Sequence, residues 1–199
     1  MTYLGLDLDN TLISYDKLFY KLAKEKGLID QSVKENKISV RDFLREKGQD
    51  VLFTELQGQV YGPRIIEAEP SDGMLTTLKQ LKKWEIKMAI VSHKTRYPIR
   101  GEKHDLHKSA IKWLHENQFF NSDGLDFSMN DIIFEESKEQ KIKRIKEKNF
   151  DYYIDDLPEI VEAISDFTKP ILYDPNNKYK SSTQYLKIKT WAETMSIFG

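Results

Sequence analysis

Short apolar runs recur along this chain, separated by stretches with helical spacing, and that alternation constrains the fold more than any other feature. The runs are Tyr3 to Leu6, Met88 to Val91, Ile132 to Phe134, Tyr152 to Ile154 and Ile171 to Tyr173. Each has the length of a strand. Ser71 to Trp84 places Met74, Leu75, Leu78 and Leu81 on one helical face behind the start signal Pro70-Ser71-Asp72-Gly73. Leu106 to Phe119 repeats the pattern with Leu106, Ala110, Ile111, Trp113 and Leu114. Ile142, Ile145 and Phe150 mark a third helix, and Leu157 to Phe167, opened by Pro158, marks a fourth. Strands alternating with helices predict an α/β fold with a parallel sheet of about five strands flanked by helices.

The interval from Ser14 to Glu69 is too long for one crossover. Its periodicity predicts helices over Asp16 to Lys26, Val40 to Lys47 behind a Ser39 cap, and Val51 to Tyr61, punctuated by Gly27, Gly48 and Gly62-Pro63. The expected organisation is therefore a core from residues 1–14 and 70–199 with a small helical cap at 15–69. That cap is either a lid that excludes water or an added helical layer. Its aromatics Phe19, Tyr20, Phe43, Phe53 and Tyr61 are expected to form its interior.

The polar residues say where a site belongs. The first run ends in Asp7-Leu8-Asp9, the second in Ser92 and the fourth in Asp155-Asp156. Asp disfavours strand interiors, and adjacent like charges repel. Open α/β sheets bind ligands beyond the carboxyl ends of their strands, so these residues are expected to share an active-site edge.

Composition excludes several alternatives. With 199 residues, 32% charged and a net charge of −1, the chain is long enough for a sizeable core and carries no basic field for nucleic acid. Cysteine is absent, which removes disulfides, thiol nucleophiles and cysteine-bound zinc. His104, His107 and His115 lack a thiolate or nearby carboxylate to complete a zinc set. No apolar run approaches the roughly 18 residues of a membrane span, and the N-terminal stretch lacks a signal-peptide pattern, so a cytoplasmic location is expected.

Asp7-Leu8-Asp9-Asn10-Thr11-Leu12, then Ser92, a later lysine, and Asp155-Asp156, in that order, resemble the haloacid dehalogenase (HAD) superfamily of phosphohydrolases. The resemblance covers about residues 1–14 and 70–175. "IVSHKT" and "YYIDDLPE" look like a phosphatase-like branch of it. It implies a Rossmann-like sheet in which Tyr3 to Leu6 is central. It also implies Asp7 as nucleophile, Asp9 as general acid/base, and a phosphate held by Ser92 with a lysine; Asn10, in the first motif, and His93, directly after Ser92, are further candidates for phosphate contact. The lysine is Lys141, 14 positions before Asp155, or Lys138 one turn earlier.

The chemistry is consistent with that resemblance. An aspartic acid with a pKa of about 3.9 is ionised at pH 7 and needs no base to attack. Its obstacle is a phosphate of the same sign. Mg²⁺ held by the acids at Asp7, Asp155 and Asp156, with the Asp9 backbone carbonyl, would cancel that repulsion. The expected partner is a small phosphorylated substrate. An Asp at position 9 implies phosphoryl transfer, because the dehalogenases lack it. A phosphotransferase or mutase remains open, as does a nucleic-acid end phosphatase reading its substrate with Arg96, Arg100, Lys103, His104 and Lys108. A silent module that binds a phosphorylated ligand is the third reading.

Overall fold

The computed structural model describes residues 1–199. β1 (Tyr3–Leu6) leads to the short β2 (Ile13–Ser14), followed by α1 (Asp16–Glu25), α2 (Lys37–Glu46), α3 (Asp50–Tyr61) and β3 (Glu69–Pro70). The chain continues through α4 (Met74–Lys83), β4 (Lys87–His93), α5 (Leu106–Glu116), β5 (Ile132–Glu135) and α6 (Lys138–Lys148). It ends with β6 (Tyr152–Asp155), α7 (Pro158–Ala163), β7 (Lys169–Tyr173), β8 (Leu186–Ile188) and α8 (Met195–Phe198). No helix is long and apolar enough to cross a membrane.

Two compact units result. The first comprises Met1–Ile13, Pro70–Lys94 and Gln118–Gly199; the second comprises Ser14–Glu69 and Thr95–Asn117. In the first unit six parallel strands run in the order β5-β4-β1-β6-β7-β8. β1 is central, and the last strand that the sequence pattern places at Tyr185 to Ile188 forms as β8, which brings the five recurrent apolar runs to six strands. Leu4, Gly5 and Leu6 align with Met88, Ala89 and Ile90 on one side and with Tyr152, Tyr153 and Ile154 on the other. Because every strand points the same way, Asp7, Ser92 and Asp155 emerge at one edge, where the chain order reverses about β1.

Strand alternation sends Ala89, Val91 and Tyr153 to one face. There they are buried with Ile145 of α6, Phe150, and Ile160 of α7. Leu4, Leu6, Ile90 and Ile154, alternate in register, are fully buried as well. Gly5 is dictated by packing: a Cβ there would lie 2.3 Å from Tyr153 Cδ2 and 2.8 Å from Phe150 Cδ2. On α4, Met74, Leu78 and Leu81 are buried, and the helix packs on α8 and on the 3₁₀ turn at Trp191–Thr194.

In the second unit α1, α2 and α3 pack on one another. Phe19 and Phe53 are buried and stacked, with ring centroids 5.5 Å apart. The cap of α2 is Asn36, whose side chain accepts from Ser39 N–H, so the helix starts earlier than a Ser39 cap would place it. Residues 95–117 group with this unit, whereas the sequence pattern placed all of 70–199 in the core. The physical reason is the apolar face of α5. Leu106, Ala110, Trp113 and Leu114 are buried, α5 packs on α3 and on the 3₁₀ turn Ile65–Glu67, and Trp113 Nε1 donates to the Ala68 carbonyl at 2.8 Å.

Candidate active site

The turn after β1 is tight. Leu12 and Ile13 N–H both donate to the Leu8 carbonyl at 3.0 Å, and Asn10 takes φ +61°, a left-handed conformation that asparagine tolerates. The turn holds Thr11 beside Asp7, and Asp7 N–H is fixed to the Ile154 carbonyl at 2.9 Å.

Asp7 is only 4% exposed, and its carboxylate is the centre of the cluster. Its Oδ1 accepts from Ser92 Oγ at 3.1 Å and from Lys141 Nζ at 2.6 Å, while Oδ2 accepts from Thr11 Oγ1 at 3.2 Å. Lys141 Nζ also donates to Asp155 Oδ2 at 2.6 Å. Asp155 Oδ1 accepts from Leu157 N–H at 3.0 Å. Lys141 lies one turn into α6, whose N-cap Ser137 accepts from Gln140 N–H. A helical side chain leans toward its own N-terminus, which directs Lys141 back to the strand ends.

Burial and charge oppose each other here. Burial alone would push the Lys141 ammonium down, but the Asp155 and Asp7 carboxylates outweigh it and hold Lys141 well above its ordinary value. Burial pushes Asp155 up to about 6, against the pull of Lys141 and with the Asp7 charge adding to it. Burial likewise pushes the Tyr153 phenol up, so its hydroxyl stays protonated and donates to the Val91 carbonyl.

Carboxylate oxygens of Asp7, Asp155 and Asp156 lie within 4.8 Å of one another. Lys141 pairs with two of these acids, Asp7 and Asp155. An all-oxygen donor set of this kind suits a hard divalent cation such as Mg²⁺. The Asp9 carboxylate stands outside this group. Both its oxygens are engaged by Lys94 Nζ, at 3.0 and 2.7 Å.

Of the two candidate lysines, only Lys141 bonds to the acids. The Lys138 side chain is 43% exposed and its ammonium pairs with Glu159. His93, at the end of β4, and Asn10 are half-buried at the same strand edge. Arg96 pairs with Asp105 at 3.2 Å and Lys103 lies over the Tyr97 ring at 4.2 Å, both within the second unit.

Two residues escaped the sequence reading, Thr11 and Lys94. Lys94 was legible in principle. It stands two residues beyond Ser92, where strand alternation returns a side chain to the same face, and it is 4% exposed.

No family model matches the chain, and no curated protein matches it. Solved structures do. A HAD-superfamily hydrolase from Ehrlichia chaffeensis is 16% identical with TM-score 0.57, the match covering 100% of this chain and 97% of that one. A HAD phosphatase from Thermococcus onnurineus is 15% identical with TM-score 0.54, covering 100% and 98%. A dehalogenase solved with an intermediate complex is 9% identical with TM-score 0.62, covering 99% and 96%. The fold is that of the HAD superfamily. The matches span nearly the whole of both chains, the helical insertion as well as the sheet.

Proposed function

We propose that this chain is a Mg²⁺-dependent phosphomonoester hydrolase of the HAD superfamily, acting on small phosphorylated substrates. One observation carries the reading: a buried lysine joins Asp7 to Asp155 while Ser92 and Thr11 hold the same Asp7 carboxylate. A carboxylate so oriented is built to use its oxygen as a nucleophile. Asp7, Asp155 and Asp156, with the Asp9 backbone carbonyl, would hold Mg²⁺, which would supply positive charge against the phosphate.

Asp7 attacks phosphorus and the bond to the leaving oxygen breaks. The departing electron pair stays on that oxygen, which takes a proton from the Asp9 carboxyl. Water then attacks the aspartyl-phosphate, gives its proton to Asp9, and restores Asp7. Ser92 and Lys141, both bonded to the Asp7 carboxylate, together with Asn10 and His93, are the donors this reading assigns to the phosphoryl oxygens as charge develops on them. Asp9 favours a phosphatase over a dehalogenase, because carbon–halogen cleavage needs no proton on the leaving halide.

The test is Asp7→Asn, which keeps shape and removes the nucleophile. Turnover of p-nitrophenyl phosphate should fall at least ~1,000-fold, with no trapped phosphoenzyme, while the circular dichroism spectrum is unchanged. Full activity in this variant would refute the mechanism.

A further inference from the structure

Each of the two acids of the β1 loop bonds to a buried lysine. Asp7 is held by Lys141, and Asp9 is held by Lys94 through both carboxylate oxygens. The Lys94 side chain is 2% exposed, and an ammonium is taken out of water only at considerable cost. Both ends of the pair are anchored by backbone. Lys94 N–H donates to the Glu135 carbonyl at 2.9 Å, continuing the β4–β5 register, and Asp9 forms a bridge to Ile13. A contact to both oxygens fixes the plane of the carboxylate as well as its position.

We propose that Lys94 is the positioning residue for Asp9, resting on the reading of Asp9 as general acid/base. It holds the Asp9 side chain outside the group formed by Asp7, Asp155 and Asp156 and fixes the plane of its carboxyl group. As the Asp7–phosphorus bond forms and the phosphorus–oxygen bond breaks, the ester oxygen takes the Asp9 proton, a transfer that needs that carboxyl held in one place. In the second half, Asp9 recovers a proton from the attacking water.

This role has a signature that a structural or substrate-binding lysine lacks. p-Nitrophenolate leaves without a proton, whereas an alkoxide requires one. The experiment therefore compares kcat/KM for β-glycerophosphate and p-nitrophenyl phosphate, a ratio that reports steps through departure of the leaving group and not hydrolysis of the phosphoenzyme. Lys94→Met, which keeps the length of the stem, should lose at least ~10-fold more on β-glycerophosphate than on p-nitrophenyl phosphate. Lys94→Arg, which can still offer two donors to a carboxylate, should recover part of that difference. Asp9→Asn is the reference and should show the same leaving-group dependence more strongly.

If Asp9→Asn shows the dependence and Lys94→Met loses both substrates equally, the lysine binds phosphate or supports the fold, and the proposal is overturned alone. If Asp9→Asn shows no dependence, or the wild-type protein hydrolyses neither ester, the underlying reading of Asp9 fails and takes the proposal with it. Should Lys94→Met not fold, Lys94→Gln removes the charge with a polar side chain and decides by the same comparison.

Discussion

Replacing Lys141 by methionine removes one positive charge from a place where water cannot substitute for it. Lys141 is 2% exposed, and its ammonium lies 2.6 Å from an oxygen of Asp7 and 2.6 Å from one of Asp155. At an effective dielectric of about 20 each contact is worth about 6 kcal/mol of Coulomb energy, most of which is offset by desolvation. Truncating one partner of a buried pair therefore costs about 3–5 kcal/mol, because the carboxylates left behind are uncompensated. For a chain of 199 residues that is a fall in Tm of roughly 10 °C.

The pH dependence follows from Asp155, which faces Lys141 and Asp7. Its folded pKa, about 6, lies above its ordinary 3.8. A carboxylate shifted upward contributes stability that is fully present below the ordinary value and is lost as pH rises through the folded value. Without metal, the wild-type protein should thus lose a few kcal/mol of stability between about pH 4 and pH 6. Lys141→Met removes the group that opposes this shift, so its decline should extend to higher pH and be larger. Urea unfolding in EDTA at pH 5.5 and 8 measures both effects. The variant's deficit should be smallest at pH 5.5, where Asp155 takes a proton, and Mg²⁺ should recover part of it at pH 8. A deficit equal at the two pH values would mean that lost packing, not carboxylate repulsion, is the cause.

Lys138→Ala removes only a surface pair with Glu159 and should change turnover less than about twofold and stability by under ~1 kcal/mol; a dead Lys138→Ala with an active Lys141→Met would reverse the two assignments. Activity should require Mg²⁺ and be inhibited by Ca²⁺, which takes more ligands at longer range and would draw the attacking Asp7 oxygen onto itself; assays in EDTA, with each metal restored in turn, check this, and undiminished turnover without metal would contradict it. Gly5→Ala puts a methyl 2.3 Å from the Tyr153 ring and 2.8 Å from that of Phe150, so the rings must shift; the expected loss is about 1–3 kcal/mol in urea unfolding, and a wild-type value would show that the rings move freely.

What the sequence determined by itself was whatever local order determines. Apolar runs set the strands of the sheet, and helical spacing set α4 to within a few residues and the presence of α6. The polar residues that end those runs, Asp7, Ser92 and Asp155, could only gather at one edge once the strands were parallel. Tertiary structure decided the rest, because it turned on contacts between distant segments. Lys138 and Lys141 are one turn apart on the same helix, and only the docking of α6 against β4 and β5 put Lys141 on the acids and left Lys138 to Glu159. Residues 95–117 went to the helical unit because the apolar face of α5 found its cover on α3 and the 3₁₀ turn Ile65–Glu67, a choice periodicity does not make. Asp9 and Lys94 are 85 residues apart, and they meet because β1 and β4 are neighbours in parallel register, which carries the loops after both strands to the same edge.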